Sequence, residues 1–174
     1  SGKCGPYSEN MEPDPDERHD QYRTYAMTRA KGEQVALNIW PNTIVVRTAD
    51  VNGKDVQGGL NNRLVSLIEQ LRAGKHIERL CNAYISPTLV DNLVAGLLEV
   101  SSESFDYRGI LHLAGSEQVS YYEFARLIAR EIRADERLVK ADPSRQWNIS
   151  LDTAYTQRIL KTRLLGVREQ ISAI

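Results

Sequence analysis

Two short apolar runs, Thr43 to Arg47 and Gly109 to Leu113, stand between stretches of helical periodicity. This alternation constrains the fold more than any other feature. A β-branched run such as Thr-Ile-Val-Val-Arg suits a buried parallel strand, and parallel strands must be joined by crossovers, usually helical. The sequence therefore predicts an α/β chain. Between Tyr22 and Ile39, residues Tyr25, Thr28, Gly32, Val35, Ala36 and Ile39 fall near one helical face, and Pro41 limits the extension. Leu60, Leu64, Leu67, Ile68 and Leu71 repeat the spacing, with Gly74 as a stop. Ser86 followed by Pro87 predicts a helix start, with Ser86 as its N-cap and Val90, Leu93, Val94, Leu97 and Leu98 buried. Ser120 and Glu123 form a capping-box pattern ahead of Phe124, Leu127, Ile128 and Ile132. A last helix is expected from Asp152 to Leu160.

Composition excludes several function classes. The 22 basic and 23 acidic residues among 174 leave a net charge of -1, which offers no general attraction for nucleic acid or anionic membrane. The longest apolar stretch of the most hydrophobic helix candidate runs only from Leu93 to Leu98, short of the about 20 residues needed to cross a bilayer. Cys4 and Cys81 lie far apart in no paired motif, and His19, His76 and His112 lack metal-ligand or nucleophile-base spacing. Reduced thiols point to a cytoplasmic protein. A single region, 1–174, is expected, with an exposed acidic loop from Ser8 to Asp20. The chain opens Ser1-Gly2-Lys3 and its first methionine is Met11, so an upstream part is expected.

Four stretches in order carry a family resemblance. They are Gly5-Pro6-Tyr7-Ser8-Glu9 with Glu12-Pro13; Tyr25-Ala26-Met27-Thr28-Arg29-Ala30-Lys31-Gly32-Glu33; Val46-Arg47-Thr48 followed by Ser86-Pro87-Thr88 and Asp91-Asn92-Leu93; and Gly109 to Gly115 with Ser120 to Ala125 and Ser150-Leu151-Asp152. Together they resemble the extended short-chain dehydrogenase/reductases, close to the dTDP-4-dehydrorhamnose reductases. The family's Gly-rich strand-to-helix turn, which receives the dinucleotide pyrophosphate, does not occur in the sequence, and Gly58-Gly59 lacks its spacing. The resemblance thus implies the C-terminal, substrate-side part of a Rossmann-like fold with a helical substrate-binding region, lacking the N-terminal dinucleotide-binding half.

What the resemblance implies for chemistry follows from its second stretch. Tyr25 matches the family's catalytic tyrosine, which passes a proton to the developing alkoxide while a nicotinamide delivers hydride. A nearby cation favours the phenolate, whose unperturbed pKa is about 10. Where the family has lysine this chain has Arg29, and no tyrosine in it has lysine four residues later. Arginine keeps the charge but not lysine's contacts to the cofactor ribose. Tyr25 and Arg29 are the expected catalytic and cofactor-binding pair, for NADP or NAD. Arg47, Thr48, Ser86 and Thr88 are expected substrate contacts, with a salt bridge for Arg47 and helix capping for Ser86 as the structural alternatives. The family's tryptophan after Arg-Thr is missing, replaced by Ala49-Asp50-Val51-Asn52-Gly53.

The expected function is that of an NAD(P)-dependent reductase segment acting on a nucleotide-linked 4-keto sugar or related carbonyl, inactive as an isolated chain. The expected partners are that substrate and, left open, a second copy in a homo-oligomer. A noncatalytic regulatory or assembly protein retaining the scaffold is the main alternative, and a plain carbohydrate- or nucleotide-binding module is a third.

Overall fold

A computed structural model describes residues 5–12 and 23–174. Cys4, His19, most of the acidic loop (residues 13–20) and the expected helix start at Tyr22 lie outside them. The strands β1 (Ile44–Arg47) and β5 (Gly109–His112) pair in parallel, Ile44 opposite Gly109 and Arg47 opposite His112. Because side chains alternate along a strand, this pair has two faces. On one, Ile44 and Val46 meet Leu111, Leu113 and the helix α3 (Val90–Val100). On the other, Arg47 faces α1 (Arg23–Ile39), where Glu33 takes its guanidinium. A parallel pair with a helix on each face is a doubly wound element.

The second layer is built around β3 (Ile77–Ile85), which pairs in parallel with β7 (Val139–Asn148) and antiparallel with β6 (Val119–Ser120). The helices α2 (Asn62–Arg72), α4 (Tyr121–Glu131) and α6 (Val167–Ser172) complete this layer: Leu64, Leu67, Leu71, Ile77, Ile85, Phe124, Ile128, Val139 and Ile171 form one core. A short parallel pairing of β2 (Val51–Asn52) with β4 (Thr88–Leu89) follows the end of β1. The helix α5 (Ala154–Ile159) returns the chain towards the β1–β5 pair, where Leu160 joins the second core.

Several local expectations need correcting. Ser86 is no helix cap: α3 begins at Val90 with Leu89 at its N-cap, because Thr88 and Leu89 are taken up in pairing with β2. The buried stripe of α3 also differs, since Val94, Leu97 and Leu98 are exposed. Gly96 and Val100 are its buried residues instead, and an added Cβ at Gly96 would meet Leu113 at 3.1 Å. On α1, Tyr25, Val35 and Ile39 point outward, and no residue of the helix is buried. Ala26, Ala30, Glu33, Ala36 and Leu37 are its half-covered positions, so that of the expected face only Ala36 is covered. The region expected to be helical therefore carries a long sheet that periodicity did not reveal.

Candidate functional site

Past Arg47 the chain turns sharply. Asp50 has a left-handed φ of 37°, a conformation that costs a non-glycine residue roughly 1–2 kcal/mol. It is held there from two sides: the Thr88 amide donates to Asp50 O at 3.1 Å and Asn52 Nδ2 donates to the same oxygen at 2.6 Å. The turn delivers Asp50 and Asn52 to a pocket of about 450 Å³ between α2, β3 and α4, a volume within the usual range of small-molecule sites. Its floor is apolar, from Leu67, Ile85 and Phe124, and its charged groups are Asp50, Arg63 and Arg79. Asn61 caps α2 by accepting from the Leu64 amide at 2.9 Å, while its Nδ2 donates to Asn52 Oδ1 at 3.2 Å. That cap fixes the helix start, and hence Arg63, beside the strand end.

The pocket's polar chemistry centres on Asp50. Tyr121 Oη, on the first residue of α4, donates to Asp50 Oδ2 at 3.3 Å, and Arg63 Nη1 lies 3.5 Å from Oδ1. Burial pushes the Asp50 carboxyl above the ordinary carboxylate range, with Arg63 and the Tyr121 hydrogen bond offsetting part of that. Burial likewise pushes the Tyr121 phenol up to about 12, with the Asp50 charge adding to it. Tyr121 and Arg79 were not anticipated from sequence. Tyr121 reads there only as a helix boundary after the Ser120 cap, and Arg79 sits on a strand that no periodicity marks.

The expected substrate contacts have other work. Arg47 grips Glu33 through Nε at 3.0 Å and Nη2 at 2.7 Å and donates from Nη1 to Met11 O at 3.4 Å. Ser86 Oγ is fully buried, accepting from the Leu151 amide at 3.1 Å and donating to Leu151 O at 3.3 Å. Thr88 Oγ1 donates to Ala49 O and to Ser86 O. These three residues shape the strand end, and Thr48 alone of the four is exposed. Tyr25 and Arg29 are brought together on α1, with the guanidinium carbon 5.2 Å from the ring centroid, but Tyr25 is 61% exposed.

A second polar cluster lies under β5. His112 is fully buried; its Nδ1 is 2.8 Å from Asp152 O, which assigns the proton to Nδ1, and Glu9 Oε1 is 4.0 Å away. Thr156 Oγ1 donates to Glu9 Oε1 at 2.9 Å. The Tyr7 amide donates to Ser150 O and the Asp152 amide to Tyr7 O, so the first and last stretches of the resemblance are adjacent in space. Among the described residues no group of three or more His, Cys, Asp or Glu could hold a metal ion, and no helix is long and apolar enough to cross a membrane.

The fit to a nicotinamide cofactor is uneven. An exposed phenol with a cation against its ring, as in Tyr25 and Arg29, suits the reacting end. The Gly58–Gly59 turn does not suit the pyrophosphate: the Asp55 carboxylate already accepts from the Gln57 and Gly59 amides at 2.9 and 2.8 Å, filling the place of an anion with a negative charge.

Residues 2–164 match the RmlD substrate binding domain family. The chain is 32% identical to the dTDP-4-dehydrorhamnose reductase of Mycobacterium tuberculosis over 124 residues, 71% of this chain and 39% of that protein. It is also 32% identical to that of Mycolicibacterium smegmatis over 117 residues, 67% of this chain and 34% of that protein. The matched segment thus spans well under half the length of these relatives, and the chain itself about half. Among solved structures, dTDP-4-dehydrorhamnose reductase from Bacillus anthracis in complex with NADP aligns with a TM-score of 0.75 at 19% identity, over 98% of this chain and 58% of that one. dTDP-glucose 4,6-dehydratase from the same organism in complex with NAD aligns with a TM-score of 0.70 at 10% identity, over 99% and 56%.

At such identities the likeness is one of fold, and it corrects the expected fold class. In place of a remnant lacking the dinucleotide-binding half, the chain follows over 98% of its length the α/β extended short-chain dehydrogenase fold of a reductase solved with NADP. The physical reason is twofold: the β1–β5 pair, whose strands the sequence did predict, carries a helix on each face as a doubly wound element, and β3 with β7 adds a sheet where the sequence predicted a helical substrate-binding region. The comparisons give no support to the expected inactivity. The chain belongs to the RmlD substrate binding domain family.

Proposed function

We propose that the chain serves an NAD(P)-dependent reduction of a nucleotide-linked 4-keto sugar, and that it holds the sugar nucleotide in the pocket between α2, β3 and α4. The observation that carries this reading is the pocket itself: an apolar floor with Arg63 and Arg79 at its wall is suited to a base or sugar face and a diphosphate. In this reading Tyr25 Oη holds the proton for the substrate's carbonyl oxygen, and Arg29 sets a positive charge against the Tyr25 ring. A nicotinamide, when bound, supplies the hydride. Family membership and the two mycobacterial relatives support the same assignment.

Calorimetric titration of the chain with thymidine diphosphate tests the pocket. Removing a hydrogen bond to a charged group costs about 1.5–3 kcal/mol, so Arg79→Ala should weaken binding about tenfold or more. Equal binding by the parent and Arg79→Ala would take the diphosphate out of this pocket. A noncatalytic scaffold is the second reading, favoured by Arg29 standing where the family has lysine. Carbonyl-dependent NAD(P)H oxidation separates the two: Tyr25→Phe should abolish turnover and Arg29→Lys maintain or raise it, whereas no turnover in the parent or in Arg29→Lys supports the scaffold.

A further inference from the structure

Asp50 is the least satisfied charged group in the pocket. Its side chain is only 15% exposed, yet its two contacts are long: 3.3 Å from Tyr121 Oη and 3.5 Å to an Arg63 that is itself 87% exposed. An ionised carboxylate offers about four acceptor sites, and a buried one without good partners is costly. Two loose contacts leave much of that capacity unused. The backbone strain at φ 37° adds a second observation. A non-glycine residue persists in the left-handed region when its surroundings over-determine it, as the Thr88 amide and Asn52 Nδ2 do here, and such strain gathers at ligand sites.

The pocket also has a direction. Ile85 and Arg79 both line it and lie six residues apart on β3, about 20 Å along an extended strand. Tyr121 and Asp50 are at one part of this length, while Arg79 contributes a guanidinium from further along β3. An elongated ligand with an anionic portion and a neutral, donor-rich portion matches this separation of charge.

We infer that Asp50 is the specificity-determining residue of this pocket, its carboxylate accepting from vicinal hydroxyl groups on the glycosyl portion of a nucleoside diphosphate sugar. The inference rests on the pocket assignment made under the proposed function and deepens it. Vicinal hydroxyls can donate to both oxygens of one carboxylate, and they fill acceptor sites that Tyr121 and Arg63 leave open. The Asn52–Asn61 pair beside it keeps the turn in place, so the carboxylate meets the ligand already oriented.

The test is a paired titration of the parent chain and Asp50→Asn with dTDP and with dTDP-glucose, which carries vicinal hydroxyls. Asparagine tolerates the left-handed backbone and keeps the side-chain shape while losing the charge and one acceptor oxygen. Asp50→Asn should bind dTDP as the parent does and dTDP-glucose about tenfold more weakly, so that the preference for the sugar nucleotide is lost. Circular dichroism and thermal melting confirm that the variant is folded. If it is not, deletion on the ligand serves in its place: the parent should bind a dTDP-dideoxyglucose without vicinal hydroxyls about tenfold more weakly than dTDP-glucose, and equal binding would overturn the inference. Parent and Asp50→Asn binding dTDP-glucose equally would overturn the role of Asp50 and leave the pocket assignment standing. Absence of binding of either ligand to the parent would overturn both.

Discussion

Replacing Arg47 by methionine should loosen α1 from the sheet. The helix has no buried residue, so its attachment rests heavily on the Arg47–Glu33 pair, whose side chains are 14% and 21% exposed with a shortest contact of 2.7 Å. An exposed ion pair contributes about 0–1 kcal/mol, and breaking a fully buried one costs about 3–5 kcal/mol because the remaining charge is stranded. A pair at this depth falls between, at about 2 kcal/mol. Urea denaturation should show that loss for Arg47→Met and a similar one for Glu33→Gln. The double variant should lose less than the sum, since no charge is left without its partner. Amide exchange should rise along Arg23–Ile39 first. A loss below about 0.5 kcal/mol with unchanged exchange in α1 would mean that the pair does not hold the helix and would make Arg47 a candidate ligand contact again.

Two further outcomes follow from packing and titration. Gly115→Ala should be strongly destabilising, because a Cβ there would overlap the Pro87 carbonyl oxygen and Gln170 Nε2; overpacking costs about 1–3 kcal/mol, and differential scanning calorimetry should record a fall of roughly 2–4 °C for each kcal/mol. Burial lowers the His112 pKa, opposed by the Asp152 carbonyl and Glu9 and aided by Arg47. The native state therefore binds this proton less readily than the unfolded state, so the associated stability is fully present above the unfolded value of about 6.5 and is lost as pH falls below it through the folded pKa. Denaturation midpoints at descending pH should show this slope in the parent and a flatter one in His112→Gln.

Much of the architecture could be read from local signals. The run Ile44–Arg47 is a parallel strand, α2 carries the expected Leu64, Leu67 and Leu71, and Ser120 accepts from the Glu123 amide at 3.1 Å to open α4. The strands β3 and β7 escaped notice because neither alternates cleanly. Ile77–Ile85 contains Glu78, Arg79 and Asn82, and Val139–Asn148 contains Pro143, whose missing N–H is tolerated on an edge. Their pairing, Ile77 opposite Val139, is a contact across the chain that no window of sequence contains. The inward face of α1 was missed for another reason: it is marked by alanines and by Glu33, a charge that only its partner Arg47 explains. Asp50 stood out in the sequence as a departure from the family, but its place beside Tyr121 depends on the fold.

Amide chemical-shift mapping of the isotope-labelled chain during titration with dTDP reports directly on occupancy of the pocket between α2, β3 and α4 by the nucleoside diphosphate. That occupancy should concentrate shifts at Asp50–Asn52, at Asn62–Leu67 of α2, around Arg79 and at Tyr121–Ala125 of α4. Saturable shifts confined to other surfaces, such as α1 around Tyr25 and Arg29, or no shifts at millimolar ligand, would contradict it.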